Sequence, residues 1–75
     1  MTGREDLVAA LHQAETTADR HRRHVERLHR YLDECPADDP RRESTRRTLD
    51  RVLRQLADAE RAADAAADRL DEARP

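Results

Sequence analysis

The chain has no tryptophan, no phenylalanine and no lysine, and it has single copies of tyrosine (Tyr31), glycine (Gly3) and cysteine (Cys35) among 75 residues. Each scarcity removes a class of function. With one aromatic ring there is no stacking platform for nucleic-acid bases. With one glycine there is no glycine-rich loop to cradle a phosphate. A lone cysteine can form neither an internal disulfide nor a cysteine zinc site, and a reducing, cytoplasmic location is the expectation. No stretch approaches the roughly 20 apolar residues of a membrane span, and the residues after Met1 lack the apolar run of a secretion signal, so no membrane association is expected. The net charge of −2 gives no overall attraction to polyanions.

Charged residues make up 43% of the chain, a fraction typical of disordered segments when apolar residues are scattered. Here they are ordered into two stripes. The first is Leu7, Leu11, Ala14, Ala18, His21, Val25, Leu28, Leu32 and Cys35; the second is Leu49, Val52, Leu56, Ala59, Ala63, Ala66, Leu70 and Ala73. Both advance by alternating steps of four and three, the a/d repeat of a coiled coil. Thr2 and Glu5 form a capping box, Pro36 and Pro40 cannot sit inside a helix, and Asp39 before Pro40 reads as an N-cap. The pattern predicts one domain over residues 1–75: a first helix over about 3–34, a loop over about 35–39 and a second helix over about 40–73.

So short a loop forces the helices antiparallel. Leu7 then faces Leu70, Leu11 faces Ala66, Ala14 faces Ala63, Ala18 faces Ala59, His21 faces Leu56, Val25 faces Val52 and Leu28 faces Leu49. Acid-first pairs at i,i+4, namely Asp19–Arg23, Glu26–Arg30 and Asp50–Arg54, support the helices. The fold class predicted is all-α, an antiparallel two-helix coiled-coil hairpin. Its thin seam makes an isolated hairpin marginal, so a homodimeric four-helix bundle is expected.

One flank of the seam carries Ala10, Thr17, His24 and Tyr31 opposite Thr48, Gln55, Ala62 and Arg69, with a single fixed charge, and is the expected contact face. The other, Val8, Glu15, Arg22 and His29 against Arg46, Leu53, Glu60 and Ala67, is more charged and brings Glu15 near Glu60. Residues 20–54 are basic and the remaining half is acidic. Arg20, Arg23, Arg27, Arg47, Arg51 and Arg54 are the candidate phosphate or nucleotide contacts.

His21 and His24 stand at i,i+3, but no carboxylate accompanies them on one side, so neither metal nor cofactor is expected. His21 opposite Leu56 is the one histidine in an apolar layer, and so the candidate for a pH-sensitive seam residue. No nucleophile–base arrangement is visible and two helices are expected to enclose no concave pocket, so the expectation is a non-enzyme.

An internal echo remains. Thr17-Ala18-Asp19-Arg20-His21-Arg22-Arg23-His24 matches Thr48-Leu49-Asp50-Arg51-Val52-Leu53-Arg54-Gln55 as T-x-D-R-x-x-R-[H/Q] in one heptad register. It partially resembles the cyclic-di-GMP-gated anti-sigma factors, helical hairpins with an E-x3-S-x2-R-x3-Q-x3-D signature. In that alignment the serine is Thr17 or Thr48, the arginine Arg20 or Arg51, and the glutamine His24 or Gln55. The leading glutamate falls on Gln13 and Ser44, and the trailing aspartate on Leu28 and Ala59. The resemblance implies a nucleotide-responsive transcriptional regulator. The residues themselves favour a non-catalytic protein–protein interaction or adaptor module that self-associates and engages a protein partner.

Overall fold

The computed structural model describes residues 3–73 and is an all-helical hairpin: α1 spans Gly3–Glu34 and α2 spans Arg42–Glu72. The two helices pack against each other along a rod of 59 × 15 × 14 Å, and no strand occurs among the described residues. Glu5 and Asp6 place negative charge in the first turn of α1, where the helix dipole favours it. The Thr2 side of the proposed capping box lies outside the described residues.

The core follows the a/d seam. Ala18, Leu49, Val52, Ala59 and Ala66 are buried, with Val52 and Ala18 each only 2% exposed. His21 is half-buried in the same seam. Two long-range contacts fix the register. With Ala18 opposite Ala59 and His21 opposite Leu56, the e positions that neighbour each other across one flank are 22 and 60, and Arg22 does meet Glu60 at 3.0 Å. On the other flank the g positions 31 and 41 should meet, and the Arg41 guanidinium lies 5.9 Å from the centre of the Tyr31 ring. These contacts stand symmetrically about the expected pairing. Arg42 extends the seam one layer beyond the apolar stripe, its Nη1 lying 3.2 Å from Cys35 Sγ.

The second helix starts later than the sequence predicts. Asp39 does not cap α2 directly: Arg41 occupies the N-cap, with no side-chain cap bond. Two consecutive turns intervene, closed by the Asp39 amide donating to the Pro36 carbonyl at 3.1 Å and the Arg42 amide donating to the Asp39 carbonyl at 3.1 Å. The Asp39 carboxylate accepts the Arg41 amide at 2.8 Å within the second turn, and the first α-helical bond runs from Thr45 to Arg41. Short polar side chains of this kind bond to the backbone two residues on and hold turns in preference to regular helix. The ion pairs also differ from expectation. Asp19 pairs with Arg22 rather than Arg23, and Arg47 with Glu43 and Arg61 with Asp58 supply the other intrahelical contacts. Arg22 wins Asp19 because it sits beside Glu60 as well and bridges both acids.

Adjacent residues test the seam. Val52 is sealed in the core while Leu53 is 40% exposed. Val52→Ala should lower the stability by about 1–2 kcal/mol in urea denaturation followed by circular dichroism, the better helix propensity of alanine offsetting part of the lost burial. Leu53→Ala should change it by less than about 0.5 kcal/mol.

Candidate interaction surfaces

A two-helix seam leaves the hairpin with two broad faces. One is edged by the g and c positions of both helices and the other by the e and b positions, because these flank d and a respectively on each helix. On the first face Thr17, His24, Tyr31 and Thr48 are half-buried, whereas Ala10, Gln55 and Ala62 are exposed. An open groove of about 360 Å³ runs there near the loop, lined by His24, Arg27, Leu28, Tyr31, Arg41 and Thr45. The register sets Thr17 beside Gln55 and His24 beside Thr48, so the threonine, arginine and His/Gln positions of the two T-x-D-R copies lie antiparallel along this one face, whereas their aspartates, Asp19 and Asp50, are b positions on the other.

The loop is tied to this face through Asp39. The Tyr31 hydroxyl donates to Asp39 Oδ2 at 3.0 Å, and Arg41 Nε stands 3.6 Å from Asp39 Oδ1. The Asp39 side chain is only 12% exposed. Its carboxyl is held below the ordinary aspartate value, first by the Arg41 backbone amide, with burial opposing and the Tyr31 hydroxyl and the Arg41 charge adding to the depression. The Tyr31 phenol is pushed up, by burial first and then by its bond to Asp39.

The second face differs in charge and shape. Arg22 crosses the seam, donating to Asp19 Oδ1 at 2.7 Å and to Glu60 Oε2 at 3.0 Å. The Glu60 bond is the main reason its guanidinium is held above the ordinary arginine value. These side chains are about half exposed, so the pair is screened by salt and adds little to stability. Around it opens a groove of about 520 Å³ with Ala18 and Ala63 at the seam and Glu15, Asp19, Glu60 and Asp64 at its sides. Small seam residues on both helices leave this hollow, and the expectation of a rod with no concavity does not hold.

The b positions edge this face and are mostly acidic on both helices: Glu5, Asp19, Glu26 and Asp33 on α1, and Glu43, Asp50, Asp64 and Asp71 on α2, with His12 and Ala57 the exceptions. The seam and its nearest flanks do not reveal this row, whose signal in the sequence is the seven-residue spacing of the acids. Also missed were Asp39, Arg41 and Arg42 as a cluster. Counting the heptad back from Leu49 gives Thr45 and Arg42, polar residues that do not continue an apolar stripe. Arg42 Nη1 donates to the Leu32 carbonyl at 2.9 Å. With no basic residue in the last turn of α1, Arg42 brings positive charge to that helix end from outside it.

The six candidate phosphate-binding arginines are all exposed but do not converge. Arg20, Arg27 and Arg51 occupy c positions at the edges of the first face. Arg23, Arg47 and Arg54 occupy f positions on the two outer backs, where Arg47 pairs with Glu43 at 3.5 Å. Among the described residues no group of three or more histidine, cysteine or acidic side chains is placed to hold a metal ion, and no helix is long and apolar enough to cross a membrane. No protein-family model, curated protein or solved structure matches the chain.

Because the folded-state value of Asp39 is depressed, its contribution to stability is present above its ordinary value of 3.8 and is lost as pH falls through the lower, folded value. Asp39→Asn should therefore be less stable than the wild type at pH 7. Its deficit should shrink at pH 3, as measured by urea denaturation at both pH values.

Proposed function

We propose that the hairpin is a non-catalytic interaction module that self-associates through the low-charge flank of Ala10, Thr17, His24, Tyr31, Thr48, Gln55 and Ala62 into a homodimeric four-helix bundle. The observation that carries this reading is the unfinished seam. Of the seven seam leucines, Leu7, Leu11, Leu28, Leu32, Leu49, Leu56 and Leu70, only Leu49 is buried; the other six are half-buried. The chain exposes 5947 Å², whereas a compact monomer of 8.7 kDa would expose about 4,700 Å². A broad face of 59 by 15 Å offers roughly 900 Å², close to the ~800 Å² per partner of a standard interface. Two-fold pairing with the rods antiparallel lays the basic loop-proximal half of one copy over the acidic open-end half of the other. The resulting bundle serves as an adaptor, presenting its outer surfaces to a protein partner in the cytoplasm.

A second reading is a nucleotide-responsive or nucleic-acid-binding regulator. It draws on the threonine and arginine positions of the two T-x-D-R copies lying along one face, with Arg20 and Arg51 at its edges and a groove of Arg27, Arg41, His24 and Tyr31 at its loop end. Calorimetry with cyclic-di-GMP and gel shift with labelled RNA at low salt distinguish it: heat or a shift lost in Arg20→Glu, Arg51→Glu supports it, and silence in both removes it.

Sedimentation equilibrium should give twice 8.7 kDa. Thr17→Glu combined with Gln55→Glu should raise the dimer dissociation constant at least ten-fold by burying adjacent like charges. A fully helical monomer at high concentration would overturn the self-association.

A further inference from the structure

The face edged by the e and b positions is predominantly acidic along both sides, with Arg22 and Arg46 its fixed positive charges, yet it is not wholly polar. Its two exposed large apolar residues are Val8, 50% exposed, and Leu53, 40% exposed, one towards the open end and one towards the loop. Both are e positions, and between them the half-buried seam residues Leu11, Val25 and Leu56 and the alanine-lined groove of about 520 Å³ run along the rod. An apolar line bordered by negative charge on each side is the complement of a helix that carries an apolar stripe bordered by positive charge.

Most of the acids on this face are not satisfied internally. Among the described residues Glu15, Glu26, Asp33, Asp50 and Asp64 have neither an ion-pair nor a hydrogen-bond partner, whereas Asp19 and Glu60 are engaged by Arg22, Glu43 by Arg47, and Asp71 is engaged as well. A second copy of this chain is a poor occupant. Its own acidic face is repelled, and its outer arginine rows, Arg23 and Arg30 on α1 and Arg47, Arg54 and Arg61 on α2, flank no apolar stripe. Anionic lipid and nucleic acid are repelled by the same charge.

We infer that this face docks a basic amphipathic helix of another protein, laid in the groove between α1 and α2 to make a three-helix layer, with its apolar stripe on Leu53, Leu56, Ala63 and Val8 and its cationic edges against the two acidic rows. The span from Val8 to the layer of Leu53, level with His24, is about 24 Å at 1.5 Å per residue, which a docked helix of roughly 18 residues, or five turns, covers. The inference rests on the reading of the hairpin as an interaction module, but it uses the opposite face from self-association, so both contacts can form at once.

The probe is a fluorescein-labelled 18-residue peptide with leucine at a and d positions and lysine at e, g, b and c, followed by anisotropy in 150 mM salt. Binding is expected to weaken at least ten-fold in Glu15→Gln, Asp64→Asn and again in Val8→Gln, Leu53→Gln, and to weaken further as salt rises. It should remain within two-fold in Arg20→Gln, Arg51→Gln on the other face. A counterpart peptide with glutamate in place of lysine should not bind. Circular dichroism verifies that each variant keeps its helicity. Equal affinity in all variants, or equal binding of the glutamate peptide, overturns the inference. Sedimentation of the hairpin without peptide reports self-association independently, so failure of one contact is not mistaken for failure of the other.

Discussion

Every other feature of this molecule depends on the antiparallel register of one seam. Two helices of just over 30 residues each, Gly3–Glu34 and Arg42–Glu72, are held by a strip of side chains only two positions wide. In that strip Ala18, Ala59 and Ala66 are buried in the half towards the open end, while Leu49 and Val52 fill the layers nearer the loop. A shift by one layer would part Arg22 from Glu60 and Arg41 from Tyr31, and a shift by one residue would turn the seam out of contact.

Once the register is set, the charge pattern stops being a property of the chain and becomes a property of two faces. Acids at most of the b positions border one side of the seam on both helices, and largely uncharged residues border the other. Thin packing leaves six of the seven seam leucines half-buried, so apolar surface remains partly exposed along the seam. The low-charge face would offer a second copy little repulsion, whereas the acidic face has the charge complementary to a cationic partner. This division of charge comes from packing, because the net charge of −2 conceals it.

The loop end is held by polar contacts rather than by apolar burial. Asp39 gathers the Arg41 amide, the Tyr31 hydroxyl and the Arg41 side chain, and Arg42 covers the carbonyl end of α1 at Leu32. These bonds fix where the chain reverses and in what direction α2 leaves. They also explain the late start of α2. Asp39 and Pro40 have the composition of a helix start, but the Asp39 carboxylate is used inside a turn and in a bond to Tyr31, so regular helix waits until Arg42. Local chemistry allowed either outcome, and contact with α1 selected one.

Spacing alone determined the helical hairpin, the position of α1, and the seam with the pairing of its layers as far as Leu70, although Ala73, the last residue of the stripe, is exposed beyond the end of α2, because a four-and-three repeat has one geometrical meaning and a short loop between long helices allows only antiparallel return. The low-charge flank was legible for the same reason. Only the tertiary structure decided that Arg22 bridges Asp19 and Glu60, that Asp39, Tyr31, Arg41 and Arg42 lock the loop, and that the candidate phosphate-binding arginines split between an edge and two outer backs. Those outcomes turn on which of several nearby side chains a long, flexible arginine reaches, and on how much of each leucine two helices can cover. Sequence periodicity specifies the direction in which a residue points; what it meets there is set by the neighbouring helix.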